Sequence, residues 1–137
     1  GEVDGSMFEE IADGLSGVRA KSFAVTVKGV GFFPPRRPAR VLWAGVDTCP
    51  QLHLLQEQVQ SALSGVGVEG DGRKFHPHIT LARFRRPSSP ESVARFVAAH
   101  SLFTCSEARI SQFYLYSSVL ARSGAVHTRE ATYPLEN

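Results

Sequence analysis

The segment from Phe23 to Val46 limits the possible folds more than any other part of the chain. Phe23, Val25 and Val27 alternate strictly with Ala24, Thr26 and Lys28, the period of a strand buried on one face. Gly29 and Gly31 then loosen the pattern, and Pro34, Pro35 and Pro38 make a stiff loop. The nearly continuous apolar run Val41-Leu42-Trp43-Ala44-Gly45-Val46 is short and partly β-branched, so it predicts a well-buried strand rather than a helix. Two such strands joined by a loop of roughly eight to ten residues fit an antiparallel pair. That pairing argues against a doubly wound parallel sheet.

Amphipathic helices are interleaved with the strands. Ser6 and Glu9 have capping-box spacing, and Phe8, Ile11, Ala12 and Leu15 share one face until Gly17 ends the pattern. Thr48 and Gln51 repeat that spacing with Pro50 in the first turn, and Leu52, Leu55, Val59, Ala62 and Leu63 form a longer stripe that stops at Gly65. Ser89-Pro90 supplies a cap and first helical residue for a short helix through Val93, Phe96 and Val97 to His100. Ile79 to Phe84 predicts a strand, and Ala108 to Leu120 a long one whose parity shifts between Ile110 and Phe113, as at a bulge. The turn Ala121 to Gly124 leads into a last strand, Ala125 to Tyr133. The order α-β-β-α-β-α-β-β predicts an α+β fold with an antiparallel or mixed sheet and flanking helices.

A chain of 137 residues fits a single domain, 1–137, and its 42% hydrophobic and 20% charged residues are those of an ordinary globular protein. No apolar run is long enough to cross a bilayer and no signal peptide is visible, which predicts a soluble cytoplasmic protein with no membrane partner. Cys49 and Cys105 form no Cys-x-x-Cys pair and read as buried or half-buried thiols. A formal charge of +2 does not by itself argue for nucleic acid. Arg36, Arg37 and Arg40 form one basic group and Lys74, Arg83, Arg85 and Arg86 another, each either a solvated loop or an anion-attracting patch. The glycines at 65, 67, 70 and 72 match no phosphate-cradling fingerprint.

Chemistry is dense only in Phe75-His76-Pro77-His78-Ile79-Thr80-Leu81-Ala82-Arg83-Phe84. In an extended strand His78 and Thr80 point one way while Ile79 and Leu81 point the other, so one face would be reactive and the other core. A proton-transfer group beside a hydroxyl donor suits reaction at a phosphate, where one oxygen is held while another gains or loses a proton. His76 and His78 could chelate a metal, but no Cys, Asp or Glu lies between Asp71 and Glu91 to complete the three or four ligands such a site needs. Pro77 also disturbs the ladder, so His76 could face elsewhere. No serine or cysteine has a nucleophile-elbow context. His53 reads as a boundary residue, His100 as a favourable charge at a helix C-terminus, and His127 as a satisfied hairpin residue.

The stretch Phe75 to Arg83 resembles the second signature of the two-histidine phosphoesterases, specifically the bacterial and archaeal RNA 2′,3′-cyclic phosphodiesterases formerly called 2′-5′ RNA ligases. Gly29 to Pro34 with Pro38 to Gly45 is similar to the strand-loop-strand segment before that signature, and Tyr116 to Leu120 with Tyr133-Pro134-Leu135 is similar to the final hairpin. The resemblance implies a bilobal α+β fold with pseudo-two-fold symmetry, each lobe giving one His-x-Thr-x strand to a shared cleft. It implies hydrolysis of an RNA 2′,3′-cyclic phosphate to a 2′-phosphate without cofactor or metal, one histidine acting as general acid and the other activating water. On the matching positions His78 would be the proton acceptor, Thr80 would hold a phosphate oxygen and Arg83 would bind substrate through its charge. Arg83 lies an odd number of positions from His78, so the strand must twist or end for both to reach one site.

This sequence departs from the family pattern in having one His-x-Thr-x: His53, His100 and His127 are followed two residues later by Leu55, Leu102 and Arg129. Gly1 to Gly5 resembles the segment directly after the first signature, which implies an incomplete N-terminal lobe and weak or no activity in this chain alone. Three expectations follow: an RNA cyclic phosphodiesterase, monomeric when complete; a catalytically impaired module that binds RNA ends or cyclic phosphates; or a dimer in which another copy supplies the acid.

Overall fold

In a computed structural model, residues 2–35, 38–86 and 88–137 are described, so Arg36 and Arg37 of the first basic group lie outside the described residues. The elements are α1 (Gly5–Ser16), β1 (Phe23–Phe33), β2 (Val41–Val46), α2 (Pro50–Gly65), β3 (His78–Arg83), α3 (Pro90–His100), β4 (Thr104–Ile110), β5 (Gln112–Ala121) and β6 (Gly124–Pro134). They form a four-stranded sheet in the order β3-β2-β1-β4 and a two-stranded sheet of β5 and β6. The chain divides into two compact units, one built from residues 1–23, 49–73 and 109–137 and the other from residues 24–48 and 74–108.

The antiparallel pairing of β1 with β2 is the one predicted, with Gly31 opposite Trp43 and Phe33 opposite Val41. β1 runs past the expected end at Lys28 because its glycines serve the ladder. Gly29 takes φ +70° where the register shifts between Val27 and Val30, a bulge conformation that favours glycine. The run Val41 to Val46 is less buried than its composition predicts, since only Ala44 falls in the core. The predicted strand from 108 to 120 is two strands. Its parity shift marks the chain leaving one sheet and starting the other at Ser111, and the bulge in β5–β6 lies instead at Leu115/Tyr116. The Thr104-Cys105 start of β4 has no apolar alternation to reveal it, and Cys105 is exposed rather than buried.

Helix starts differ in detail from the capping-box readings. Asp4, not Ser6, caps α1, its carboxylate accepting the Met7 N–H at 2.9 Å. The backbone N–H lowers the Asp4 pKa, and the Ser6 hydroxyl lowers it further. At α2 the cap position is Cys49 with no side-chain hydrogen bond, and Pro50 makes the start. Ser89 caps α3 as predicted. In the first unit Ile11, Leu15 and Leu55 are buried, and the Tyr133 hydroxyl donates to the Ala12 carbonyl at 3.0 Å. In the second, Phe84 and Leu42 meet Val93 and Phe96 of α3 around a small apolar pocket, which assigns that face of the sheet to the helix. Among the described residues no helix is long and apolar enough to cross a membrane.

Candidate active site

The other face of the four-stranded sheet carries the dense chemistry, and the register explains how. Residues directly opposite in a ladder share a face. Gly45 pairs with His78, Trp43 with Thr80, and Val41 with Arg83. Between them the register shifts, because Leu42 pairs with Ala82 and Leu81 is left without a partner. This one-residue bulge in β3 reverses the parity after Thr80. His78, Thr80 and Arg83 therefore lie on one face with Trp43, while Ile79 and Ala82 lie on the face toward α3. The odd spacing in the sequence is resolved by a bulge, not by strand twist or termination.

Trp43 forms the floor beneath the histidines. Its ring lies against Gly31, where an added Cβ would overlap Cζ2 of the indole, so only a glycine leaves room for it. Phe33 stands beside it with ring centroids 5.3 Å apart. His76 meets Trp43 edge-on at 4.9 Å and Phe33 at 5.3 Å, and His78 meets Phe33 edge-on at 5.4 Å. His76 thus turns toward the same cluster, although it lies before the strand. The Trp43 Nε1–H is buried with no hydrogen-bond partner among the described residues.

The contact that matters most for chemistry is between His78 Nδ1 and the His76 carbonyl oxygen, at 2.6 Å. A carbonyl can only accept, so Nδ1 carries the proton and donates it. In the neutral ring this leaves the lone pair on Nε2. Such a ring can accept a proton at Nε2 without losing its orientation. Thr80 and Arg83 are exposed on the same face, a hydroxyl donor and a guanidinium that can meet phosphate oxygens. His78 and Thr80 are exposed as well, so the face is open.

The side predicted to be core is not deeply buried. β3 is the edge strand, Ile79 is 47% exposed, and Leu81, displaced by the bulge, is 50% exposed. The sequence reading missed Gly31, Phe33 and Trp43 as parts of the site and left His76 without a role. A glycine opposite a tryptophan across an antiparallel pair was the available signal. His100 is placed as expected at the end of α3, where its Nδ1–H donates to the Phe96 carbonyl at 2.8 Å. His127 sits in the hairpin opposite Ser118, and it belongs to the first unit whereas β3 belongs to the second. Among the described residues no group of three or more His, Cys, Asp and Glu side chains is arranged to hold a metal.

Residues 2–120 match the model of the 2′-5′ RNA ligase superfamily. The chain belongs to that superfamily. A relative from Thermotoga maritima named RNA 2′,3′-cyclic phosphodiesterase is 35% identical over 130 residues, covering 93% of this chain and 67% of the relative. One of the same name from Aeropyrum pernix is 30% identical over 129 residues, covering 93% of this chain and 73% of the relative. The crystal structure of E. coli LigT in apo form superposes with a TM-score of 0.74 at 25% identity, covering all of this chain and 72% of LigT. Membership in this superfamily bears out the expected family, its hydrolase class and the mixed α+β fold with antiparallel sheets. Signature residues of the superfamily resemblance fall on β3 and the cluster around it, where the tautomer of His78 is fixed.

Proposed function

We propose that this protein hydrolyses the 2′,3′-cyclic phosphate at an RNA end to a 2′-phosphomonoester in the cytoplasm. The observation that carries the reading is the imidazole of His78, held by the His76 carbonyl with Nε2 free, on the same sheet face as Thr80 and Arg83. The names of the curated relatives support the substrate class. In this reading His78 Nε2 takes a proton from water as the water oxygen bonds to phosphorus. The P–O3′ bond breaks, O3′ gains a proton from a second acid or from solvent, and the phosphate remains on O2′. Thr80 donates to a phosphate oxygen, and Arg83 offsets the negative charge that grows on the oxygens in the transition state. No step is given to a metal ion or cofactor, and the working unit is a monomer.

A second reading is an RNA-end or cyclic-phosphate binding module, since the exposed face shared by His78, Thr80 and Arg83 can hold a phosphate whether or not a bond is broken. Turnover of a 2′,3′-cyclic nucleotide separates the two. His78→Ala should lower the rate by about 10²- to 10⁴-fold, the usual worth of general acid-base catalysis. Equal turnover by the variant would remove His78 as the base, and tight binding without turnover by the unaltered protein would establish the binding module. Sedimentation showing a dimer at working concentration would overturn the monomeric unit.

A further inference from the structure

The β5–β6 hairpin has two contrasting faces. Phe113 and Tyr133 stack at 4.8 Å on one of them, with Leu115 on the same side lining a cavity of about 640 Å³ against Phe8 and Ile11 of α1. The opposite face holds Tyr114, Tyr116 and, across the ladder, Arg129. A bulge puts the arginine there: Leu115 pairs with Ala131 and Tyr116 with Arg129, leaving Glu130 without a partner in the ladder. The Arg129 guanidinium carbon sits 3.9 Å from the Tyr114 ring centroid, and its Nε–H donates to the Tyr116 hydroxyl at 3.2 Å. The two tyrosine rings stand edge to face, 6.1 Å apart at 73°. Tyr116 is 50% exposed, and Arg129, Ser118 and His127 are exposed beside it.

A cross-strand Tyr-Arg contact also stabilises ordinary hairpins, so the contact alone does not define a site. Three features of this face go further. Its paired positions, from Gln112 opposite Pro134 to Ala121 opposite Gly124, include no aspartate or glutamate. The acidic residue of this part of the hairpin, Glu130, is displaced by the bulge and accepts the Ser117 hydroxyl at 2.5 Å. The guanidinium carbon lies over the Tyr114 ring, and the exposed Tyr116 ring beside it is a flat surface of the kind on which bases of single-stranded RNA stack.

We propose that Tyr114, Tyr116 and Arg129 form a stacking platform for a nucleobase of single-stranded RNA, with the Arg129 Nη groups meeting an adjacent phosphate. This rests on the reading of the protein as an RNA enzyme and names a subsite outside the β3 cluster. Charge and shape match that occupant: exposed rings and an arginine with no acid at the paired positions, the carboxylate of Glu2 lining the neighbouring cavity beside Tyr116, for a chain of bases and phosphates.

Fluorescence anisotropy with a labelled single-stranded RNA ending in a 3′-phosphate tests it. Tyr116→Ala should weaken binding about 5- to 150-fold, the effect of losing one stacked base. Tyr116→Phe, which keeps the ring and loses only the hydroxyl that accepts from Arg129, should weaken binding less than Tyr116→Ala, whereas Tyr116→Leu, which keeps bulk for folding but loses the ring, should behave like the alanine variant. Arg129→Gln should reduce the slope of log affinity against log salt by roughly 0.7. Unchanged affinity in a folded Tyr114→Leu/Tyr116→Leu double variant would overturn the platform, as would RNA binding no tighter than that of a cyclic mononucleotide. Turnover of that mononucleotide is followed in parallel. Ring-dependent RNA binding without turnover would overturn the proposed reaction and leave the platform standing; turnover with ring-independent binding would do the reverse.

Discussion

Two arginines in different units reach their neighbours by the same device. In β3 the unpaired Leu81 brings Arg83 onto the face of His78 and Thr80, and in β6 the unpaired Glu130 brings Arg129 opposite Tyr116. A regular strand would have sent each side chain to the opposite face. The outcomes differ in what the guanidinium meets. Arg83 arrives exposed on an edge strand beside an imidazole and a hydroxyl, whereas the Arg129 guanidinium carbon lies over one tyrosine ring and its Nε–H is bonded to another tyrosine. The hydrogen bond to Tyr116 also raises the Arg129 pKa, so that charge is permanent. One bulge presents an exposed positive charge and the other a guanidinium held among aromatic rings, a distinction that matters because phosphate attracts charge while a base needs a flat partner.

The largest effect expected from this contrast concerns Arg83. Arg83→Ala should lower kcat/KM on a cyclic nucleotide by about 10²- to 10³-fold if the guanidinium stabilises transition-state charge. Moving the arginine one place, as Ala82→Arg with Arg83→Ala, should not restore activity, because position 82 lies opposite Leu42 on the helix-packed face. Recovery by the shifted arginine would mean β3 is regular and would break the comparison.

Next in size is Gly31→Ala. The new methyl would overlap the Trp43 ring, and the overpacking should cost about 1–3 kcal/mol in urea unfolding while displacing the floor under His76. Ser89→Ala should cost about 1 kcal/mol through loss of the α3 cap, against a change within about 0.5 kcal/mol for Cys49→Ala, whose side chain caps nothing. Equal losses at the two positions would show that cap bonding does not separate the helices.

The smallest effects are in the pH dependence of the hairpin unit. Burial, and then the charge of Asp13, raise the Tyr133 pKa. A raised tyrosine favours the folded state only while it is protonated, so its contribution is full below the free value of 10.0 and is lost as pH rises above it. Tyr133→Phe should flatten that alkaline limb of stability in urea titrations. The lowered Asp4 pKa has the opposite sign: its contribution is present above the free value of 3.8 and disappears as pH falls through the folded one. Asp4→Asn should flatten the acid limb, and an unchanged slope in either variant would remove that group as a source of the dependence.

Much of the fold was legible because periodicity and turn chemistry are local. Val25 and Val27 alternate, Ser89-Pro90 starts a helix, and Val41 to Val46 has the length of a strand, so each element could be placed without its neighbours. The break at Ser111 was read as a bulge because both disturb strand parity in the same way, and only the sheet each half joins tells them apart. The start of β4 was missed because Thr104 to Glu107 has no apolar alternation. In the candidate site, His78, Thr80 and Arg83 could be named from their motif, while Gly31, Phe33 and Trp43 could not, since their part depends on a cross-strand register that no local pattern encodes.

By itself the sequence determined the family, the order of most elements and the residue types available for phosphate chemistry, because these rest on short-range patterns and a dense motif. The tertiary structure alone decided which face each residue shares and which nitrogen of His78 donates to the backbone. A one-residue bulge reverses every side chain beyond it, and a tautomer follows from a single 2.6 Å contact with a carbonyl; both are properties of pairing and not of composition.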